Sequence, residues 1–388
     1  MVSRPKLLFV VTADWYFWSH RLGLALKARE AGYEVALASR FSQHRERIEA
    51  AGIKCWPLPF ERSLRHPWRD LHSAIALAKL IHRERPALVH LVALKPILLS
   101  FLAISAMRQI QFVHAVTGLG YLFTSQDRKA KWIKAILVPV LRSLIGRSNS
   151  SVIVQNTNDR AALTDLHISP GRKIALIAGS GVDLNQFSPQ EESEDLNPLV
   201  VLPARVLLDK GVVEFVAAAK LVRERIHDAR FVIVGALDPD NSAAISEQVL
   251  QTMLGLGIEW WGHQAEMVSV MRRATVVCLP SHREGMPKAL LEAAACARPL
   301  VATDVPGCRD ICRDGVTGIL VPPQAPSALA AAIEHLLRDS ALRRRLGRAA
   351  RALVEAEYSI DTIAKQTLAL YSALLLIDPP SLSVEQRP

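Results

Sequence analysis

Short apolar runs of strand length alternate along this chain with amphipathic stretches of helical length. Strands are expected at Leu7–Thr12, Glu34–Ala38, Lys54–Leu58, Leu88–Val92, Gln111–Val116, Ser151–Val154 and Ile174–Ile177. Helices fall between them at Ser19–Ala31, Asp70–Glu84 and Pro96–Met107, the first with Ser19 as N-cap and Gly32 as its stop. The pattern then breaks at Phe187–Pro198, a polar, acidic, proline-flanked linker, and restarts. Strands follow at Leu199–Pro203, Arg230–Val234, Ile258–Trp260, Ala274–Leu279, Pro299–Ala302 and Gly318–Val321. The helices of this half are expected at Val212–Arg225, Ser242–Leu254, Pro287–Ala297 and Ser327–Arg338. Alternation of this kind predicts α/β with parallel sheets: two Rossmann-like domains, 1–190 and 191–358, facing across a cleft. Helices Ala341–Tyr358 and Ile360–Leu376 close the chain, and 359–388 is a terminal helix, able to pack back on the first domain, with a disordered tail.

At 388 residues the chain is too long for one core, which agrees with two domains. Its net charge of +10 is uneven. Residues 1–190 carry 26 Lys and Arg against 12 Asp and Glu, a net of +14, and the remainder is slightly acidic. Such a basic half needs a polyanion, an anionic membrane or an acidic substrate. No nucleic-acid module is recognisable, so nucleic acid is not expected. The cations interleave instead with Trp and long aliphatics, in Arg128–Arg147, broken by Pro139, and in Glu61–Arg69. Both segments suit the surface of an anionic bilayer, and both equally suit core helices with solvated cations. No apolar run is long enough to span a membrane and no signal peptide is evident, so a cytoplasmic protein, peripheral on an inner membrane face, is expected. Five cysteines without metal-ligand spacing predict no metal site.

The richest chemistry lies in Ser281-His-Arg-Glu284-Gly-Met-Pro-Lys-Ala-Leu-Leu-Glu292-Ala-Ala-Ala. Glu284 falls in a strand-to-helix loop and Glu292 inside the helix, near an N-terminal end that offers free N–H groups to a phosphate. Gly285, Met286, Pro287 and Lys288 lie between them and are expected to line the same site. The first strand of this half runs into Arg205-Val-Leu-Leu-Asp-Lys210-Gly, where a bidentate fork and a point charge straddle a turn and can aim at one diphosphate.

Together these segments resemble the retaining glycosyltransferases of family 4, with their Glu-x7-Glu signature and their Arg and Lys-Gly five apart. The resemblance implies the GT-B fold, a nucleotide-sugar donor, UDP-linked by preference, and no cofactor. By position it gives Glu284 the transferred sugar, Glu292 the ribose, and Arg205 and Lys210 the diphosphate, with Trp261 and Gly262 at the base. Trp261 suits core packing equally well. No Asp-x-Asp motif stands in a suitable loop, which implies metal independence.

The first half is expected to hold the acceptor. After its first strand comes Ala13-Asp-Trp-Tyr-Phe-Trp-Ser-His-Arg21, without the Gly-x-Gly-x-x-Gly that an NAD enzyme requires. Asp14, His20 and Arg21 are candidate acceptor contacts, against aromatic packing with a helix cap. His114, or alternatively Thr117, occupies the place where many family 4 enzymes put a histidine near the reacting carbon. Thr117-Gly118-Leu-Gly-Tyr resembles bacterial transferases that extend undecaprenyl-diphosphate-linked sugars, which implies a polyprenyl-diphosphate-linked acceptor and makes an N-acetylhexosamine a candidate sugar. Two alternatives share the fold: a UDP-sugar 2-epimerase, and a sugar-nucleotide-binding protein without turnover.

Overall fold

The computed structural model describes residues 4–61, 66–118, 128–190, 197–241, 243–255 and 257–377. The chain forms two compact units, residues 1–180 with 360–388, and residues 181–359. In the first, β1 (Lys6–Ala13), α1 (Asp14–His20), α2 (Leu22–Glu30), β2 (Glu34–Arg40), α3 (Arg45–Ala50) and β3 (Lys54–Pro57) lead to α4 (Pro67–Glu84) and β4 (Leu88–Val92). Then come α5 (Leu94–Leu99), α6 (Phe101–Ala106), β5 (Gln111–Val116), α7 (Arg128–Ile145), β6 (Ser150–Val154), α8 (Thr157–Asp165) and β7 (Ile174–Leu176). All strands are parallel, in the order β3-β2-β1-β4-β5-β6-β7.

One face of this sheet is covered by α4 to α7 through Leu77, Ile81, Ile97, Ile104, Leu141 and Ile145. The other is covered by α1, α2, α3 and the last helix of the chain. The central strands, buried on both faces, must be apolar throughout, which makes them legible as unbroken runs.

The second unit contains β8 (Leu199–Pro203), α9 (Val212–Arg223), β9 (Arg230–Val234), α10 (Glu247–Met253), β10 (Ile258–Trp260), α11 (Met267–Arg273), β11 (Val276–Leu279) and α12 (Lys288–Ala295). It is completed by β12 (Leu300–Thr303), α13 (Cys308–Ile311), β13 (Gly318–Val321), α14 (Pro326–Arg338) and α15 (Ser340–Leu353). Its parallel strands run β10-β9-β8-β11-β12-β13. Strand order reverses between β8 and β11, and in open α/β sheets that reversal leaves a crevice at the strands' carboxyl ends. The final helix, α16 (Ile360–Leu375), belongs to the first unit, where its Tyr371 hydroxyl lies 2.5 Å from His90 Nδ1.

Several boundaries differ from the expectation. The division falls after Ser180, not at 190, and residues 187–190 of the expected linker lie on the second unit, 191–196 being outside the described residues. Arg351 donates to Phe187 O at 2.8 Å, Arg272 to Ser188 O at 3.1 Å, and Arg298 to Gln190 O at 2.7 Å. The first expected helix is two, broken at Arg21, and Ser19 does not cap it, because its hydroxyl donates to Trp15 O inside α1. Pro96–Met107 is likewise split at Ser100. Pro139 does not end α7, which runs through it. The expected disordered tail, Leu119, Gly120 and Tyr121 of the glycine motif, and Arg62 to Arg65 lie outside the described residues. All five cysteines are buried and free, and burial pushes the Cys55 thiol up to about 12 and Cys296 up to about 11.

Candidate active site

The β8–β11 switch point gathers the second unit's candidates. The segment after β8 carries Arg205 and Lys210, and the loop after β11 carries Glu284. The two segments touch backbone to backbone. Gly211 has φ +72, and a Cβ there would sit 2.1 Å from Pro280 O. Only glycine fits that position, on both grounds. On the other side Gly307 has φ +81, and a Cβ on it would meet Gly285 O at 2.4 Å. The Glu284 loop is thus clamped between two glycines. Cross-loop hydrogen bonds hold it further: His282 N donates to Asp209 O at 2.9 Å, His282 Nε2 lies 2.9 Å from Glu214 Oε1, and Thr303 Oγ1 donates to Ser281 O.

The clamp brings the charges together. Lys210 Nζ donates to Glu284 Oε1 at 2.6 Å, and Ser281 Oγ donates to the same oxygen at 2.8 Å. Both charged side chains are largely buried. Arg205 is ion-paired to Asp238, a buried residue on the segment after β9. Glu292 is buried on α12, where Lys288 Nζ reaches its Oε1 at 2.8 Å. Pro287 stands as the N-cap of α12, with the helix starting one residue later than expected, at Lys288. Gly285, Met286 and Lys288 are half-buried around this helix start.

At the neighbouring edge Gly262 has φ +63 and its carbonyl accepts from Gly235 N at 2.8 Å. The Trp261 indole donates to Glu259 Oε2 at 2.9 Å and lies under the Arg273 guanidinium, 5.3 Å from the ring centre. Burial raises the Glu259 carboxyl, but hydrogen bonds from Trp261 and Arg230 more than reverse this and leave it below its ordinary value. Among the described residues no group of three His, Cys, Asp or Glu is placed to hold a metal ion.

Known proteins resemble this chain. The family model "Glycosyl transferases group 1" matches residues 185–353, and "Glycosyl transferase 4-like" matches residues 6–156. The chain belongs to the glycosyltransferases. Among its relatives is the N,N'-diacetylbacillosaminyl-diphospho-undecaprenol alpha-1,3-N-acetylgalactosaminyltransferase of Campylobacter jejuni, 26% identical over 95% of this chain and 99% of the relative. Its fold is the GT-B fold. A sucrose-phosphate synthase from Thermosynechococcus elongatus superposes with a TM-score of 0.80, at 22% identity over 96% of this chain and 100% of that one. Anabaena HepE, solved with UDP-glucose, gives 0.75 at 17% identity over 95% and 100%.

The first unit of this glycosyltransferase treats its candidates differently. Asp14 is fully buried, and its carboxylate accepts from Ser42 N, Gln43 N and His44 N at 2.8–2.9 Å, and from Ser42 Oγ and Trp15 N. Burial raises this carboxyl, and the backbone donors of His44, Ser42 and Gln43 outweigh burial and bring it down to about 2. Asp14 therefore ties the 42–44 loop to the start of α1 and has no oxygen left for an acceptor; the acceptor assignment is corrected. His114 is corrected too. It sits mid-strand in β5, fully buried, with Nε2 3.1 Å from Ser150 Oγ, and burial lowers it to about 3. A neutral imidazole inside the sheet serves no reacting carbon. Arg21 is buried and turned toward Gly179 O, 3.5 Å away, which removes it from a surface acceptor role. His20 stacks on Tyr16 with its Nδ1 2.6 Å from Ser19 Oγ, and remains partly accessible. Thr117 and Gly118, the latter with φ +119, follow β5 and are half-buried.

Asp238 and Ser281 were missed. Asp238 opens an Asp-Pro-Asp sequence that carried no weight in the chain alone, because only the pairing of β8 with β9 sets it beside Arg205. Ser281 had no signal beyond its place three residues before Glu284.

Proposed function

We propose that this glycosyltransferase moves a sugar, an N-acetylhexosamine in the simplest case, from a UDP-sugar to an undecaprenyl-diphosphate-linked saccharide, retaining anomeric configuration and using no metal. The observation that carries this reading is the convergence of Arg205, Lys210 and Glu284 at one switch point, with buried Glu292 on the adjoining helix. Arg205 and Lys210 bind the donor diphosphate and stabilise the charge of departing UDP, helped by the N-terminal dipole of α12. Glu284 accepts hydrogen bonds from sugar hydroxyls and Glu292 from ribose hydroxyls. Gly262 presents backbone to the base beside Trp261. The bond from the anomeric carbon to the diphosphate oxygen breaks as an acceptor hydroxyl joins on the same face, its proton passing to the leaving phosphate.

Support for a lipid-linked acceptor comes from the Campylobacter relative, whose name specifies a diphospho-undecaprenol substrate, and support for UDP from the UDP-glucose complex of a structural neighbour. The test incubates purified protein with a panel of UDP-sugars and a polyprenyl-diphosphate sugar, and records product mass. A gain of one sugar on the lipid is expected, undiminished by EDTA. Free UDP with an isomerised or released sugar and no lipid gain would make the protein an epimerase-like enzyme. Loss of transfer on chelation would overturn metal independence.

A further inference from the structure

The helical layer of the first unit leaves apolar residues facing water along two of its helices. On α7, Trp132 is 75% exposed and Ile136 60% exposed, with Ile133 and Val140 also exposed. Residues 132, 136 and 140 recur every four positions and so form one outward stripe, opposite the Leu141, Leu144 and Ile145 that enter the core. On α4, Trp68 is 83% exposed and is followed by Leu71 and Ile75 on the same side, while Ala74, Leu77 and Ile81 face inward. Phe101, at the start of the intervening α6, is exposed as well. Single exposed apolar residues are ordinary on a protein surface; repeated stripes headed by tryptophan on two helices of one layer mark an interaction surface.

The charges say what covers it. α7 contains Arg128, Lys129, Lys131, Lys134 and Arg142 and not one Asp or Glu. On α4, Asp70 is paired with Lys95 at 2.7 Å, and Arg69, exposed beside Trp68, is paired with Glu61 at 2.5 Å. Exposed tryptophan and branched aliphatics on a helix that is basic in sequence and has no acidic residue match an anionic bilayer: the aromatic rings seat at headgroup level and the helix's positive charge favours lipid phosphates. No helix among the described residues is long and apolar enough to cross a membrane, so the contact is an interfacial one.

We propose that the outer faces of α4 and α7 form a membrane-docking surface that places the first unit on an anionic bilayer. This deepens the reading of a lipid-linked acceptor and names the surface that brings the enzyme to it. The test is co-sedimentation of the full-length protein, without donor or acceptor, on vesicles of phosphatidylcholine with and without phosphatidylglycerol. Binding is expected on the anionic vesicles only, and the pair Trp68→Ser with Trp132→Ser should weaken it by about tenfold. Both side chains are exposed, so folding should be unaffected, as checked by the thermal midpoint and by UDP affinity. Equal binding of the double variant and wild type, or no preference for anionic vesicles, would overturn the proposal. So would concentration-dependent dimerisation, abolished in the same variant, in place of vesicle binding, because the surface would then receive a second copy of the chain. Transfer to a detergent-dispersed acceptor is measured separately: a protein that binds vesicles but transfers no sugar refutes the functional reading and leaves the docking surface standing.

Discussion

Each carboxylate that matters here has a cation within reach before any ligand arrives. Lys210 holds Glu284 at 2.6 Å, and Lys288 holds Glu292 at 2.8 Å. If the donor diphosphate takes Lys210, Glu284 keeps only Ser281 and must find sugar hydroxyls or remain a buried, poorly paired charge. UDP alone would then strip the pair without replacing it. Glu284→Gln should therefore tighten UDP binding by about threefold to tenfold while slowing transfer at least as much. Titration calorimetry showing unchanged UDP affinity would remove Lys210 from the diphosphate. Glu292→Ala should act the other way and weaken UDP binding by about tenfold to a hundredfold, as loss of a charged hydrogen bond does. The buried histidines make a separate prediction. His114 is lowered to about 3, so it is neutral when folded but protonates on unfolding below its ordinary 6.5. Stability should fall as pH drops from about 6.5, by about 2 kcal/mol at pH 5 for this residue alone. His90, also driven well down by burial, adds to the loss. Denaturant midpoints measured against pH should show a shallower slope in His114→Gln.

The helices and strands matter mainly through where their ends are pinned. Position in sequence puts Glu284 on a loop, but the loop's path is set by close backbone contact at Gly211 and Gly307. Gly307→Ala meets both a left-handed φ and a 2.4 Å clash with Gly285 O. It should cost about 2 kcal/mol of stability and at least about tenfold in transfer. Gly315 is the control, since it shares a positive φ with nothing within 4 Å of a Cβ. Gly315→Ala should lose stability with little loss of transfer, and equal losses in the two variants would show that the clamp does not position Glu284. Local signals misled where tertiary contacts intervened. Pro139 reads as a helix breaker, yet the apolar inner face of α7 holds the helix continuous through it.

Across the molecule, two units each have their own parallel sheet and buried layers. The donor candidates all belong to the second, so UDP should stabilise that unit. At a UDP concentration one hundred times its dissociation constant the gain is about 2.7 kcal/mol. Scanning calorimetry should resolve two transitions, with UDP shifting one. A single transition that moves as a whole would count against independent units. The chain's last helix complicates truncation. α16 buries Tyr371 against His90 in the first unit, so removing the C-terminal residues should destabilise the N-terminal sheet.

The sequence by itself determined the architecture and placed the donor candidates on one half of the chain. The central strands of both sheets were readable because parallel strands covered on both faces must be apolar along their length, a purely local signal. Glu284, Arg205 and Lys210 stand out as candidates because they follow strands, and Glu292 because it lies on the helix after Glu284, positions that spacing alone locates. Tertiary structure decided the rest. Asp14 and His114 have the residue types of chemistry, but folding takes Asp14 into the 42–44 loop and His114 into the middle of a sheet, where burial and hydrogen bonding consume them. Asp238 meets Arg205 only because β8 pairs with β9. The outward stripes of α4 and α7 separate from their inward ones only once the sheet beneath them exists. Partner identity depends on distance in space, and distance in space is what periodicity along a chain does not carry.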